Sequence, residues 1–154
     1  MAHVPSSGIT YPLLGRIQDA LLPESWFDRY TVQYPNYQGY KLDTSTTNFT
    51  YNVEGVTVTL SFSSPITPED TLAQSIPGAY LEVTAEGDKN INVYVDINGQ
   101  WVSGDRGALI QWNYKKGDDL QTWDFKRQEQ YLFTEHNDRS EWGKMYFSAP
   151  IVSS

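Results

Sequence analysis

The octapeptide VTVTLSFS, residues Val56 to Ser63, decides the fold class. Its apolar side chains recur at every second position, and the positions between them hold only threonine or serine. This period of two predicts a β-strand that is buried on one face and solvated on the other. Similar alternation predicts strands at 79–86 and at 91–97. Further strands are predicted at 108–114, 120–127, 131–134 and 144–148.

The stretch INVYVDINGQWVSGDRG, residues 91–107, is predicted to be a β-hairpin. Its first part alternates and places Asp96 on the polar face. Asn98-Gly99 follows, and Asn-Gly is the strongest short signal for a two-residue hairpin turn. The residues from Trp101 onward would then form the return strand. Glycine-containing turns at Glu54-Gly55 and in 115–119 also indicate antiparallel connections.

Helix signals are few and short. Thr67 is the predicted N-cap, Pro68 suits the first helical position, and Pro77 ends the segment. Residues 16–22 could form a second short helix. Many short strands with frequent turns predict an all-β protein, an antiparallel β-sandwich with one or two short helices.

The chain length of 154 residues fits one domain with a real core. Residues 1–8 (MAHVPSSG) read as a tail left by cloning. Residues 9–43, rich in tyrosine and proline, are predicted to form an irregular wrap. The β-sandwich domain is then expected at 44–154.

Composition excludes several classes of function. Eleven basic against nineteen acidic residues give a net charge of -8, which disfavours nucleic acid and anionic membranes as partners. No apolar run is long enough for a membrane span, so membrane insertion is not expected. The absence of cysteine removes disulfides, thiolate metal sites and cysteine nucleophiles. We expect no cofactor and no bound metal.

Serine chemistry is suggested by VSGD but lacks its usual base. A serine nucleophile such as Ser103 needs a base within hydrogen-bond reach, nearly always histidine. The chain holds only two histidines. His3 lies in the expected tail and His136 lies in a polar loop, so no catalytic residue is predicted from this motif.

Carboxylates could perform acid–base chemistry in pairs across a cleft. The ordinary explanation of the acids in this chain is that the alternating pattern places polar residues on the solvent face and at the ends of strands. Hydrolysis by carboxylates within this chain is therefore the third-ranked hypothesis. The acids concerned are Asp96, Asp105, Glu135, Asp138 and Glu141.

Aromatic side chains could form a sugar-binding platform, because indole and phenol rings stack on the apolar faces of sugars. Trp112 and Trp123 lie in alternating strands beside other apolar residues and are predicted to be core. Trp101 and Trp142 lie next to turns with charged neighbours, so either role stays open for them. Tyr94 and Tyr114 are further candidates for such a platform.

Four motifs carry a family resemblance from about residue 47 onward. They are SPITPED (64–70), QSIPGAYL (74–81), DINGQWVSGD (96–105) and EWG (141–143). In this order the motifs resemble the β-sandwich domain of secreted fungal glutaminase A-type proteins.

The resemblance implies a role beside a catalytic partner. Such proteins join the sandwich to a large helical domain, which is expected to hold the machinery that hydrolyses glutamine to glutamate and ammonia. This chain would then be a non-catalytic accessory domain, and a large exposed apolar patch would mark its partner surface. The residues predicted to face a partner or ligand are Asp96, Trp101, Asp105, Arg106, Glu135, Glu141 and Trp142.

Secretion is implied by the same resemblance. Asn48, in the triplet NFT, is a sequon for N-glycosylation and agrees with it. The alternative function is a stand-alone glycan-binding or immunomodulatory fungal protein, similar to a lectin, that uses exposed tryptophan and tyrosine rings.

Overall fold

The computed structural model describes residues 1–15, 31–97 and 99–151. They form an all-β protein with one short helix, as the alternation predicts. The chain divides into two compact units, Met1–Asp96 and Ile97–Ser154, and each is described by itself. The helix predicted at 16–22 lies outside the described residues. None of the helices in the described ranges has the length and apolar character needed to cross a membrane.

The first unit contains eight described strands: β1 (Ala2–Val4), β2 (Ile9–Tyr11), β3 (Thr31–Val32), β4 (Asn36–Leu42), β5 (Thr46–Val53), β6 (Val56–Ser63), β7 (Tyr80–Glu86) and β8 (Asn92–Val93). They form two sheets of four strands each. The larger sheet, which has the longer strands, has the order β4-β5-β6-β7 and is fully antiparallel. The smaller sheet has the order β3-β2-β1-β8 and contains one parallel pair, β2 with β3.

The octapeptide VTVTLSFS is β6, an inner strand of the larger sheet. Tyr51 of β5 lies opposite Val58, and Phe49 lies opposite Leu60, so the apolar side chains of both strands share one face. That face packs on the smaller sheet in a single cluster of buried residues. The prediction of a β-sandwich is confirmed for this unit. The cluster comprises Ala2, Val4, Tyr11, Leu13, Tyr51, Val53, Val56, Val58 and Leu60.

The N-terminal residues differ from their prediction as a tail and an irregular wrap. Residues 2–4 form β1, with Ala2 and Val4 fully buried in the core. The segment 9–43 supplies β2, β3 and β4. The physical reason is that Ala2 and Val4, on either side of His3, fill space in the core over the larger sheet. Composition alone does not reveal this.

The helix, α1, is shorter than predicted and begins later. It spans Thr71–Gln74, and Asp70 rather than Thr67 is its N-cap. The Asp70 carboxylate accepts hydrogen bonds from the N–H groups of Leu72 and Ala73, both at 3.0 Å. A carboxylate at this position is an equally good cap and lies closer to the apolar residues that follow.

The second unit contains an antiparallel sheet of three strands, in the order β13-β10-β9, and a two-stranded ribbon of β11 and β12. The strand predicted at 120–127 is confirmed. The strand predicted at 131–134 is wrong, because these residues form a turn in which Thr134 N–H donates to the Tyr131 carbonyl at 3.2 Å. The strands are β9 (Ile110–Lys116), β10 (Leu120–Arg127), β11 (Glu135–His136), β12 (Arg139–Ser140) and β13 (Met145–Pro150).

The hairpin predicted at 91–107 is also wrong. Only Asn92–Val93 is a strand, and it pairs with β1 instead of with a return strand. Between it and Ile110, the described residues contain no strand. The alternation of 91–97 predicts a longer strand than the two residues observed, and the partner strand β1 comes from the distant N-terminus.

Candidate functional site

Two of the quoted motifs, DINGQWVSGD and EWG, meet in the second unit. Glu141 is only 4% exposed, and both of its carboxylate oxygens accept hydrogen bonds. Its Oε2 accepts from Ser103 Oγ and its Oε1 accepts from the Gly104 N–H, each at 2.7 Å. These two hydrogen bonds hold residues 103–104 in place, and a role of Glu141 toward a ligand or partner stays a prediction.

Arg127, at the end of β10, balances the charge of Glu141. Its Nε lies 2.8 Å from Glu141 Oε2, an ion pair without the alignment of a hydrogen bond. The guanidinium lies over the ring of Tyr131 at 4.3 Å from the ring centroid and donates to the Glu129 carbonyl at 2.8 Å. Sequence reasoning missed Arg127, because a charged residue at a strand end normally faces solvent.

Gly104 is fixed by close approach of the β11–β12 ribbon. A Cβ atom built on Gly104 would lie 1.8 Å from the carbonyl oxygen of His136. No side chain fits there unless the ribbon moves. The glycine of VSGD is therefore required by packing, and no catalytic turn is needed to explain it.

The surroundings of Glu141 favour its ionised form. The hydrogen bond from Ser103 lowers the pKa of Glu141, burial opposes this, and the Gly104 N–H and Arg127 lower the pKa further. A carboxylate that is ionised and already hydrogen-bonded through both oxygens is a weak proton acceptor. Ser103 is itself buried and donates its proton to this carboxylate, so the arrangement suits structural support better than nucleophilic chemistry.

Asp105 makes its ion pair with Arg127 and not with its neighbour Arg106. One carboxylate oxygen of Asp105 accepts from the Gly107 N–H at 2.8 Å, and the other lies 3.7 Å from Arg127 Nη2. Arg106 is exposed, and no salt bridge to it is found in the described ranges. Asp105 and Arg106 keep their predicted position at the surface, where contact with a partner stays a prediction.

Trp142 adjoins Glu141 and is 37% exposed. Its ring packs against Phe133, with centroids 5.3 Å apart and planes inclined at 56°. Phe133 is 86% exposed and has a φ of 58°, in the left-handed region. No sequence pattern distinguishes Phe133, because its neighbours indicate an ordinary strand.

The remaining predicted residues do not join this arrangement. Trp101 is half-exposed and its indole lies against Gly99. Glu135 is exposed on β11. Asp96 belongs to the first unit, where the Tyr94 hydroxyl donates to it at 3.4 Å. Their role toward a ligand or partner stays a prediction.

The prediction that Trp112 and Trp123 are core is wrong. They are 62% and 49% exposed, on one face of the three-stranded sheet. The register places Trp123 between Tyr114 and Phe147, which explains how alternating strands build a continuous apolar face. At one end of this face Phe125 is buried and Arg127 is paired with Glu141, whereas most of its other apolar side chains are exposed. The exposed members of this aromatic face are Ile110, Trp112, Tyr114, Trp123 and Phe147.

The opposite face of the same sheet carries a second buried carboxylate. Asp124 accepts hydrogen bonds from Asn113 at 3.1 Å and Lys144 at 3.4 Å, and Lys115 lies 3.9 Å away. Burial acts to raise the pKa of Asp124, but these partners outweigh it and lower the pKa. This cluster is charge-paired and offers no free acid or base. Within the residues described, no group of three metal-ligating side chains is found.

Asn48 lies in β5 on the polar face of the larger sheet, between Lys41 and Ser61. Its Oδ1 atom is buried and has no hydrogen-bond partner among the described residues. The sequon thus lies within a strand, and glycosylation there stays a prediction.

The comparisons with known proteins agree with the resemblance of the motifs. Residues 45–154 match the family described as a domain of unknown function, DUF5127. A probable glutaminase of Arthroderma benhamiae is 45% identical over 168 residues, which covers 97% of this chain and 18% of that protein. Glutaminase A of Aspergillus oryzae is 37% identical over 119 residues, 73% of this chain and 17% of that protein. No solved structure matches.

The chain thus spans less than a fifth of the length of these two relatives. The matched family covers both the DINGQWVSGD and the EWG motif, which contact each other in the second unit. The chain therefore belongs to the DUF5127 family, and it is a domain of the glutaminase A type.

Proposed function

We propose that this chain is the non-catalytic, β-rich part of a longer glutaminase-like protein and that it packs against a helical catalytic part of the same polypeptide. The relatives named glutaminase extend far beyond the segment matched here. Their activity belongs to proteins of which this domain is a small fraction. Secretion of the parent protein is part of the proposal, and the sequon at Asn48 is consistent with it.

The observation that carries this proposal is the aromatic face. Monomeric soluble proteins rarely leave a contiguous apolar surface exposed unless it binds a partner. Tryptophan and tyrosine dominate the energetics of protein interfaces, and Trp112, Tyr114 and Trp123 lie side by side on this sheet. An apolar face on a sheet matches the surface that a packed helical layer would cover.

The polar groups of the second unit argue against catalysis by the chain alone. Glu141 and Asp124, the buried carboxylates there, are both charge-paired. Hydrolysis of an amide needs a nucleophile or an activated water together with a group that can move a proton. Among the described residues of the second unit, the buried ionisable side chains make structural contacts and are not free for this chemistry.

Ammonia release from glutamine tests the proposal. Three proteins are compared: this chain, the Arthroderma benhamiae relative, and a chimera in which this chain replaces the matched segment of that relative. We expect no ammonia above the buffer level from the chain alone. The chimera should be active and should unfold as one cooperative transition, because the two parts stabilise each other across the interface.

Two results would overturn the proposal. Ammonia release by the isolated chain would make it an enzyme in its own right. Separate unfolding of the two parts of the chimera would show that they do not pack together. If instead a glycan array binds the isolated chain and Trp101→Ala or Trp142→Ala abolishes that binding with the fold intact, the lectin-like alternative replaces the proposal.

A further inference from the structure

Three exposed apolar side chains project from the end of the second unit that carries the EWG motif. Leu132, Phe133 and Trp142, here called the aromatic tip, are 64%, 86% and 37% exposed. Phe133 and Trp142 pack on each other, whereas Leu132 and Phe133 lie within a turn. None of the three belongs to the aromatic face of the sheet.

The backbone of the aromatic tip is held in an unfavourable conformation. Phe133 has a φ of 58°, a region that bulky side chains rarely adopt and that costs free energy. A glycine or asparagine would adopt the same backbone conformation at a lower cost in free energy. Because the ring of Phe133 is almost fully exposed, its burial within this chain repays little of that cost.

The surrounding structure imposes this geometry through the Glu141 backbone. The Glu141 N–H donates to the Thr134 carbonyl, and the Tyr131 N–H donates to the Glu141 carbonyl, both at 3.1 Å. The Gly143 N–H donates to the side chain of Gln130 at 2.8 Å. The buried side chain of Glu141 anchors the same residue from the other side. The aromatic tip is therefore a preorganised projection.

The polar groups near the tip favour a protein partner over a sugar. The Thr134 hydroxyl donates to the Tyr131 carbonyl at 2.7 Å, and the Tyr131 hydroxyl donates to Glu129 at 2.9 Å. Gln130 uses its amide nitrogen on the Arg127 carbonyl at 2.9 Å as well as its oxygen on Gly143. A sugar site needs several convergent polar groups that remain available, whereas an apolar pocket needs only the rings.

We propose that the aromatic tip inserts into an apolar pocket on the remaining part of the longer glutaminase-like polypeptide. This inference rests on the proposed function and adds a second contact, made by residues outside the aromatic face. The pocket would be lined by apolar side chains, since Leu132 and Phe133 present no hydrogen-bonding side-chain group. The length of the relatives beyond the matched segment supplies ample chain for such a pocket.

Hydrogen exchange in the isolated chain and in the chimera tests the insertion. We expect the amides of 131–134 to exchange roughly tenfold or more slowly in the chimera than in the isolated chain, because docking prevents local opening. Phe133→Gly in the chimera should abolish that protection. Leu109→Ser, which changes another exposed apolar side chain of the second unit, is the matched control and should leave the protection unchanged.

A second measurement uses only the isolated chain. Phe133→Gly should leave its melting temperature unchanged or raise it, since glycine relieves the left-handed backbone. A clear fall would show that the ring supports the fold of this chain and would overturn the inference.

The outcomes separate the inference from the proposed function. If the chimera unfolds as one unit but 131–134 exchanges as fast as in the isolated chain, the inference is wrong and the proposed function stands. If the two parts of the chimera unfold separately, both are wrong. If neutral oligosaccharides slow exchange of 131–134 in the isolated chain, the tip is a sugar contact and the inference is overturned.

Discussion

Ser103 Oγ donates a hydrogen bond of 2.7 Å to Glu141 Oε2 and so joins two sequence motifs that lie 38 residues apart. The same carboxylate accepts a hydrogen bond from the Gly104 N–H, and Arg127 balances its negative charge. The motifs VSGD and EWG are therefore two halves of one buried contact. Their residues are explained by the architecture of the second unit, and the aromatic side chains around them are the stronger functional candidates.

Glu141→Gln should destabilise the second unit. The substitution removes the charge that balances Arg127 and leaves a nearly buried guanidinium unpaired. The amide nitrogen of glutamine cannot accept a hydrogen bond, so the side chain could no longer accept from both Ser103 and Gly104 through separate oxygens. We expect the melting temperature, followed by tryptophan fluorescence, to fall by roughly 5 °C or more.

Glu135→Gln is the control for this substitution. Glu135 is an exposed acid in the neighbouring ribbon, so its removal should change the melting temperature by less than about 2 °C. Equal effects of the two variants would show that the buried contact contributes nothing special.

Prediction from sequence succeeded where the layer that covers a strand is among the described residues. The alternation of Val56–Ser63 predicted its buried face correctly, because β1 and β2 supply the opposing layer. The same rule misplaced Trp112 and Trp123, since alternation identifies an apolar face but cannot tell what covers it. It also missed Arg127, whose charge is buried only because Glu141 approaches from a distant part of the chain.

Gly104→Ala should prevent normal packing of the β11–β12 ribbon. The added methyl group would overlap the His136 carbonyl oxygen, which belongs to the backbone and cannot rotate away. We expect loss of the cooperative unfolding transition of the second unit, seen as broadened tryptophan resonances in an NMR spectrum. Gly78→Ala is the matched control, because nothing lies within 4 Å of a Cβ there, and it should behave as the wild type.

Low pH should remove the contribution of ionised Glu54 to the stability of the first unit. Hydrogen bonds from Lys89 at 2.7 Å, Ser7, and Tyr11 at 3.0 Å lower the pKa of Glu54 from 4.5 to about 2, against the opposing effect of burial. Because the folded pKa lies below the unfolded one, the contribution is complete above the unfolded value and is lost as the pH falls toward about 2.

The difference in melting temperature between the wild type and Glu54→Gln isolates this group. It should be largest above about pH 5 and should shrink steadily down to about pH 2. Glu82→Gln, at an exposed acid of β7, should show no comparable trend. A Glu54→Gln difference that stays constant across this range would contradict the assignment.

The aromatic face should bind an apolar dye in the isolated chain. 8-Anilinonaphthalene-1-sulfonate fluoresces strongly on exposed apolar surface, and Trp112 and Trp123 form the centre of that surface in the second unit. We expect the double substitution Trp112→Ser with Trp123→Ser to lower the dye fluorescence markedly. The fold should remain, because the two side chains are 62% and 49% exposed. Ile66→Ser removes an exposed apolar side chain of the first unit and should have little effect on the dye. If the double variant binds the dye as well as the wild type, the aromatic face is not an open surface, and the main support for its docking role is lost.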